Sequence, residues 1–403
     1  VGTKKKRVLL KNLKSKKQLI LFSVALLVIA LITFCWWLFF GRFEVSTRDA
    51  YVNGNLVSLT PQIPGYVTAV YCDETELVKE GQVLVTLDDT DNKLFLDKAS
   101  ANLGTAIRNV TEMFENVYAL AAIVREKEAA LIRAEIDFKD REAVVSSGAV
   151  SVEEYIFSKT SLEAAEGALS ASVFNLRKAI SLVEGTTVRN HPMVLAAIEA
   201  VKLAFVNLNR CVIKAPATGI VAQRGVQVGE SVTPASQLLA IVPLDQVWVD
   251  ANFKEIHMSK IRIGQKASVT SDFYGSGVNY EGTVIGIAGG TGAVFSPLPP
   301  QNATGNWIKI VQRVPVRIAL SGVMLTKYPL RLGLSMDISV DVKDTSGLKV
   351  PGVIRDAIPL WKTTIFSDQE KGVDTLIEKI FSQNQSFVGM ISEEVKLLGN
   401  HRR

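Results

Sequence analysis

Histidine, cysteine and paired carboxylates build most metal centres and hydrolytic sites, and this chain spreads them thinly. Of its three histidines, His191 and His257 stand alone, so no metal-ligand spacing forms. Gly289-Gly290-Thr291-Gly292 lacks the Lys-Ser or Lys-Thr ending of a phosphate loop and reads as a turn between strands. Asn302-Ala303-Thr304 matches a glycosylation sequon, which has force only in a host that glycosylates. Asp and Glu are plentiful but scatter over helix faces without a convergent pair. These patterns argue against an enzyme and imply no metal and no cofactor. Cys35 falls in an apolar run, whereas Cys72 and Cys211 flank two related stretches. A disulfide between them stays open, because sequence cannot bring two Cα atoms within about 7 Å. One charge is out of place. Arg141 sits on an otherwise apolar seam beside a turn, where a guanidinium suits a partner's carboxylate or carbonyl groups. The alternative is an arginine whose stem packs while its head stays wet.

That seam runs through residues 91–145. Apolar or small residues recur at Leu96, Ala99, Leu103, Ala106, Val110, Met113, Val117, Leu120, Val124, Leu131, Ala134, Phe138 and Val145, with only Lys127 and Arg141 breaking it. Alternating steps of three and four keep one face toward one partner and predict a coiled-coil helix. At about 1.5 Å per residue it would reach roughly 80 Å and must project. Helix-weakening residues at 146–151 predict the tip, with Ser151 as the next N-cap and Glu154 closing a capping box. A return arm follows through Tyr155, Leu162, Leu169, Leu176 and Val183, breaks at 185–192, and resumes at Leu195, Ile198, Phe205 and Leu208. The whole predicts an antiparallel helical hairpin over 91–210.

The hairpin interrupts a repeat. Residues 60–90 and 211–243 both set β-branched runs between Pro and Gly punctuation, as short strands joined by tight turns do. Matching Gly65 to Gly219 and Gly81 to Gly229 aligns them. Neither half can bury both of its faces, so the two are expected to dock as one small sandwich, with these four glycines at the docking positions.

The first forty residues carry eight basic side chains and no acidic one, so a chain of net charge +5 is net −3 thereafter. A nucleic-acid-binding protein would carry its basic charge on folded domains, and here it lies on a tail, residues 1–18. Residues 19–40, with Leu19 and Phe40 at the ends, hold no charge and suffice to cross hydrocarbon. The run ends in Trp36 and Trp37, which suit the far interface, and shows no cleavage pattern. The preceding basic residues place the N-terminus in the cytoplasm. Residues 41–59 read as a polar, extended lead-in. Period-two alternation at Val247, Val249, Ala251 and Phe253, and again at Met336, Ile338, Val340 and Val342, predicts a small antiparallel barrel over 244–346. Pro300, Gln301, Asn302 and Trp307 would lie on its rim loop. In the tail, 347–403, Val373, Leu376, Ile377, Ile380 and Phe381 share a helical face, and Phe387, Ile391, Val395 and Leu398 follow.

This order of anchor, split repeat, helical hairpin and barrel resembles the HlyD-type membrane fusion, or periplasmic adaptor, proteins. Four strings point to the EmrA branch: Asp49-Ala50-Tyr51-Val52-Asn53-Gly54-Asn55, Val78-Lys79-Glu80-Gly81, Val249-Asp250-Ala251-Asn252-Phe253-Lys254-Glu255 and Pro300-Gln301-Asn302-Ala303-Thr304-Gly305-Asn306-Trp307-Ile308-Lys309. The resemblance implies an α+β multidomain chain with a single transmembrane helix, a split lipoyl-like (barrel-sandwich hybrid) domain, a coiled-coil hairpin and a β-barrel. It further implies a non-enzymatic subunit of a multidrug efflux pump in the bacterial inner membrane, with its bulk in the periplasm. Its partners would be a proton-driven major facilitator transporter of the EmrB type, a TolC-type outer-membrane channel and further copies of itself. The family's docking pattern of Arg, aliphatic residue and Ser matches Arg141, Val145 and Ser151, with Ser146, Ser147 and Gly148 completing the tip. An adaptor of an ATP-driven type I exporter, a lipoyl or biotinyl carrier and a structural envelope tether remain as other readings.

Overall fold

The computed structural model describes residues 21–34, 41–275, 277–292, 294, 310–350, 352 and 359–384. Leu19, Trp36, Trp37, Phe40, the rim residues Pro300, Gln301, Asn302 and Trp307, and the apolar positions after Phe387 lie outside them. The first described element is α1 (Leu21–Phe34), apolar and exposed along its whole length.

Among the described residues, fifteen strands and five further α-helices follow. Strands β1 (Glu44–Thr47), β2 (Ala50–Gly54), β3 (Val57–Leu59), β4 (Gly65–Val70), β5 (Leu77–Val78) and β6 (Val83–Leu87) lead into helices α2 (Thr90–Val145), α3 (Val152–Val183) and α4 (Pro192–Asn209). Then come β7 (Val212–Lys214), β8 (Gly219–Arg224), β9 (Ser231–Val232), β10 (Leu239–Val242), β11 (Val247–Lys254), β12 (Lys266–Ser271), β13 (Asn279–Ile287) and β14 (Arg313–Leu320). A short α5 (Gly322–Lys327), β15 (Met336–Asp341) and α6 (Val373–Asn384) complete the order.

The alternating strands form one seven-stranded antiparallel sheet ordered β1-β15-β12-β13-β14-β11-β2. It curls shut. Val52 N donates to Leu334 O at 2.9 Å and Gly333 N to Val52 O at 2.8 Å, joining β2 to the segment that enters β15. Inward Val249, Ala251, Phe253, Val316, Ile318, Ile338 and Val340 fill its interior. The stretch read as a lead-in is therefore structural: β1 pairs Glu44 with Asp341, β2 pairs Tyr51 with Asp250, and only β3 turns to the repeat.

The repeat forms two four-stranded sheets, β3-β10-β8-β5 and β7-β6-β4-β9, and each mixes strands from both halves. Gly65 pairs with Val232 while Val78 pairs with Gly219; Leu59 pairs with Leu239 while Val85 pairs with Ile213. A constant offset of 154 residues generates the second member of each of these relations from the first. That offset corrects the glycine alignment. Gly229, at φ +84°, corresponds to Thr75, a non-glycine residue at φ +72°, and Gly81 corresponds to Ala235. Val67 N donates to Glu230 O and Val221 N to Glu76 O, repeating the register in hydrogen bonds of 2.9 and 3.0 Å. The match of Gly65 to Gly219 holds at this offset, whereas that of Gly81 to Gly229 fails because one half makes its left-handed turn with threonine, which bears the strain that glycine avoids.

Helix α2, of 56 residues, runs about 84 Å and packs along α3 and then α4. Ala99, Leu103, Ala106, Val110, Val117 and Val124 are buried, as the seam predicts, and Ile107 and Phe114 are buried beside them. The extra width has a cause: at the root α2 meets α4 and α6 as well as the return arm. Helix α4 is long and apolar enough to cross a membrane by composition. Here it buries Val194, Ile198, Val201 and Ala204, one residue out of step with the Leu195 expected inward, which is 45% exposed. Helix α6 lays Val373, Ile377, Ile380 and Phe381 on this root rather than on the barrel.

Candidate functional site

At the free end of the hairpin the backbone turns through Gly148 at φ +74°, a conformation that costs an ordinary residue about 1–2 kcal/mol. Ser147 N and Gly148 N donate back to Val144 O and Val145 O, each at 3.2 Å. The predicted capping box forms: Glu154 N donates to Ser151 Oγ, and Ser151 N to Glu154 Oε2, both at 3.1 Å. Arg141 reaches back along α2 to pair with Asp137. The backbone N–H of Ser151 holds the Glu154 carboxyl below its ordinary range, helped by the Ser151 hydroxyl and then by the charge of Arg141. The tip is thus stiffened by local bonds. Beneath it Phe138 and Tyr155 stack at 5.6 Å between centroids.

Ser146, Ser147, Gly148 and Ser151 are exposed and Val145 is half-buried, so the six expected docking residues share one blunt end. Val152 and Phe157 are exposed just below, at 66% and 74%. Because the Glu154 pKa is depressed on folding, its contribution to the turn is complete above the ordinary glutamate value and fades as pH falls through the folded value. Protection of the amides at residues 151–155, taken relative to their intrinsic exchange rates, is expected to fall on acidification below about pH 4.3. Ser151→Ala is expected to bring the same loss of protection at neutral pH, at a cost of about 1 kcal/mol.

At the other end, the four candidate docking glycines all contact the opposite half. Gly65 and Gly219 pair across the halves, Gly81 N donates to Ala215 O at 2.9 Å, and Gly229 N to Val67 O at 2.8 Å. Their reasons differ. Gly81 and Gly229 occupy left-handed turns with open space around them, whereas a Cβ at Gly219 would lie 2.4 Å from Val242 O. Cys72 and Cys211 are both buried free thiols, so the disulfide left open by the sequence is not formed. Asn92 at the start of α2 donates to Cys211 Sγ at 3.2 Å, and burial raises both thiols above the ordinary cysteine value.

Several positioning residues escaped the sequence reading. His191 is buried as the N-cap of α4: Met193 N donates to its Nδ1 at 3.3 Å, and its Nε2 lies 3.1 Å from Leu182 O, tying both sides of the 184–191 break together. Arg189 pairs with Glu378 and lies over the Phe381 ring at 5.1 Å. Gln369 accepts from Arg210 at 3.4 Å, receives Asn209 on its carbonyl at 2.7 Å, and donates to Gln62 at 3.0 Å. The C-terminal segment therefore straps the hairpin root to the first half-repeat. Two of the family strings are neighbouring barrel strands, in which Asp250 gathers Asn53, Trp248 and Arg317, while Arg317 lies 4.3 Å over the Trp248 ring.

Residues 90–211 match the family model for the EmrA alpha-helical hairpin domain. The multidrug export protein EmrA of Haemophilus influenzae is 38% identical over 372 residues, 92% of this chain and 94% of that protein. The fatty acid resistance protein FarA of Neisseria gonorrhoeae is 42% identical over 335 residues, 82% of this chain and 84% of that protein. A solved structure of the periplasmic adaptor protein EmrA, 19% identical, covers 75% of this chain and 99% of its own at a TM-score of 0.38, so the assignment rests on the sequence relatives. By the hairpin model and by full-length identity, the chain belongs to the EmrA branch of the membrane fusion proteins.

Proposed function

We propose that this chain is the periplasmic adaptor of a tripartite multidrug efflux pump. Residues 19–40 anchor it in the inner membrane with the N-terminus cytoplasmic. Its root holds a major facilitator transporter, and the hairpin tip docks a TolC-type outer-membrane channel. The transporter supplies the energy and the adaptor supplies continuity across the periplasm, so the role needs no chemistry of its own. The observation that carries this reading is the hairpin itself, long, stiff at its tip and rooted in a clamp that locks only when both half-repeats interleave. Ile132 and Ile136, one turn apart on α2, stay exposed, as do Phe157 and Phe174 on α3, and exposed apolar residues on the arms suit packing against the hairpin of a second copy.

Arg141→Asp is the direct test. It places a carboxylate beside Asp137 and Glu154 on a solvated helix end, where lost ion pairs change stability by about 1 kcal/mol or less. The expected result is a folded, membrane-inserted adaptor that no longer restores drug resistance to cells lacking the native gene. Full resistance in such cells would remove Arg141 from the docking site. Copurification with an ATP-driven exporter in place of a major facilitator transporter would shift the reading to type I export.

A further inference from the structure

The barrel rim next to the anchor has a composition the adaptor role does not explain. Only six residues separate Phe34, the last described residue of α1, from Gly41, and those seven residue steps span at most about 25 Å. Gly41–Phe43 then passes into β1 without a linker. That end of the barrel is one continuous surface. Lys260 Nζ donates to Arg42 O at 3.5 Å, Val342 N to Phe43 O at 2.8 Å, and Ile263 N to Leu348 O at 2.9 Å. The turn after β11 brings Lys254 and Ile256 to the same end, since Lys260 N bonds His257 O at 3.0 Å.

Two kinds of side chain stand out on it. Ile256, Leu348 and Val350 project with 64%, 58% and 72% of their surface exposed. Exposed Lys254, Lys260 and Lys349 lie beside them in the chain. Four acids share this end, Glu44, Glu255, Asp341 and Asp344, and Asp341 lies 3.7 Å from Lys343; they are outnumbered by Arg42, Lys254, Lys260, Arg262, Lys343 and Lys349. Apolar tips within a basic collar are what an anionic bilayer surface recognises, with the tips entering the acyl boundary and the ammonium groups meeting phosphates. The excess is local, because the chain after residue 40 is net negative.

We propose that this rim is a second membrane contact, seating the barrel on anionic phospholipid headgroups and fixing the adaptor's tilt before any protein partner binds. The proposal rests on the anchor reading above. The chemistry favours lipid over an acidic protein loop, because unpaired apolar tips gain nothing from a hydrated carboxylate but do gain from acyl chains.

The test uses the full chain reconstituted in nanodiscs of phosphatidylcholine alone and of phosphatidylcholine with phosphatidylglycerol, read by hydrogen exchange. Peptides spanning 254–263 and 346–350 are expected to exchange several-fold more slowly in the anionic discs. High salt, or the triple variant Lys254→Glu/Lys260→Glu/Lys349→Glu, is expected to abolish the difference. Unchanged exchange in α2 of the variant shows that it is folded, and the wild-type comparison between discs decides the matter without it. Equal rim exchange in both discs, with the chain inserted in each, overturns the proposal while leaving the anchor intact. Rim protection that appears only with a transporter present overturns the lipid assignment. A chain that enters neither disc removes the anchor and the rim contact together.

Discussion

Gly219→Ala will disable efflux with every tip residue intact. The new methyl group would stand 2.4 Å from Val242 O, 2.7 Å from Val242 C and 2.9 Å from Ile241 Cγ2, and two of these atoms are backbone that cannot rotate away. Strand β8 must then move from β10, and β5, which pairs Val78 with Gly219, moves with it. Overpacking of this kind costs about 1–3 kcal/mol. The cost falls where the two halves meet, so the hairpin's arms lose their common base and the tip loses its aim. Thermal unfolding reads the stability loss, and drug resistance in complemented cells reads the function. Gly167→Ala is the matched control: it lies in α3 with nothing within 4 Å, and is expected to be neutral or to stabilise by up to about 1 kcal/mol.

Phe381→Ala carries the largest expected stability effect. Phe381 is 2% exposed, packs with Ile377 and Ile380 in the three-helix root, and has Arg189 over its ring. Removing a buried phenyl ring typically costs about 3–5 kcal/mol. Most of the loss should appear as undocking of α6, because α2 and α3 retain their own seam along the rest of the hairpin. Hydrogen exchange will show it as faster exchange in 373–384 and in the 184–191 break, with residues 117–145 unchanged. The Arg189–Glu378 pair adds a pH signature. Its hydrogen bond to Arg189 holds the Glu378 carboxyl below the ordinary range, so the pair's contribution is full above the usual glutamate value and is lost as pH falls through the lower, folded one.

The parts of this fold legible in the sequence are those set by local periodicity. The three–four spacing from Leu96 to Val145 marks the seam whatever lies across it, and Ser151 with Glu154 announces a cap through chemistry confined to one turn. The parts that were not legible depend on distant partners. Residues 44–54 have too few alternations to declare a barrel strand until Asp341 and Asp250 stand beside them, nearly 300 and 200 residues later. Thr75 hides a left-handed turn because its residue type denies it, and only pairing with the other half fixes its place. The amphipathic face of α6 was plain, but which surface it covers follows from Arg189, Gly104 and Asn384, three residues with no local pattern. Gly104 leaves room for the Asn384 side chain, whose atoms would lie 3.1 Å from a Cβ there. At the tip the six residues expected to dock a partner lie together, while the Asp137 pairing of Arg141 required coordinates.

The account stands on the hairpin tip meeting an outer-membrane channel. Replacing Ser147, exposed at the apex, with a photo-crosslinking amino acid in intact cells and identifying the adducts by mass spectrometry measures this directly. The expected product is a crosslink to a TolC-type channel protein that disappears when Gly219→Ala is added. Crosslinks from Ser147 confined to inner-membrane proteins, in cells that still extrude drug, would contradict it.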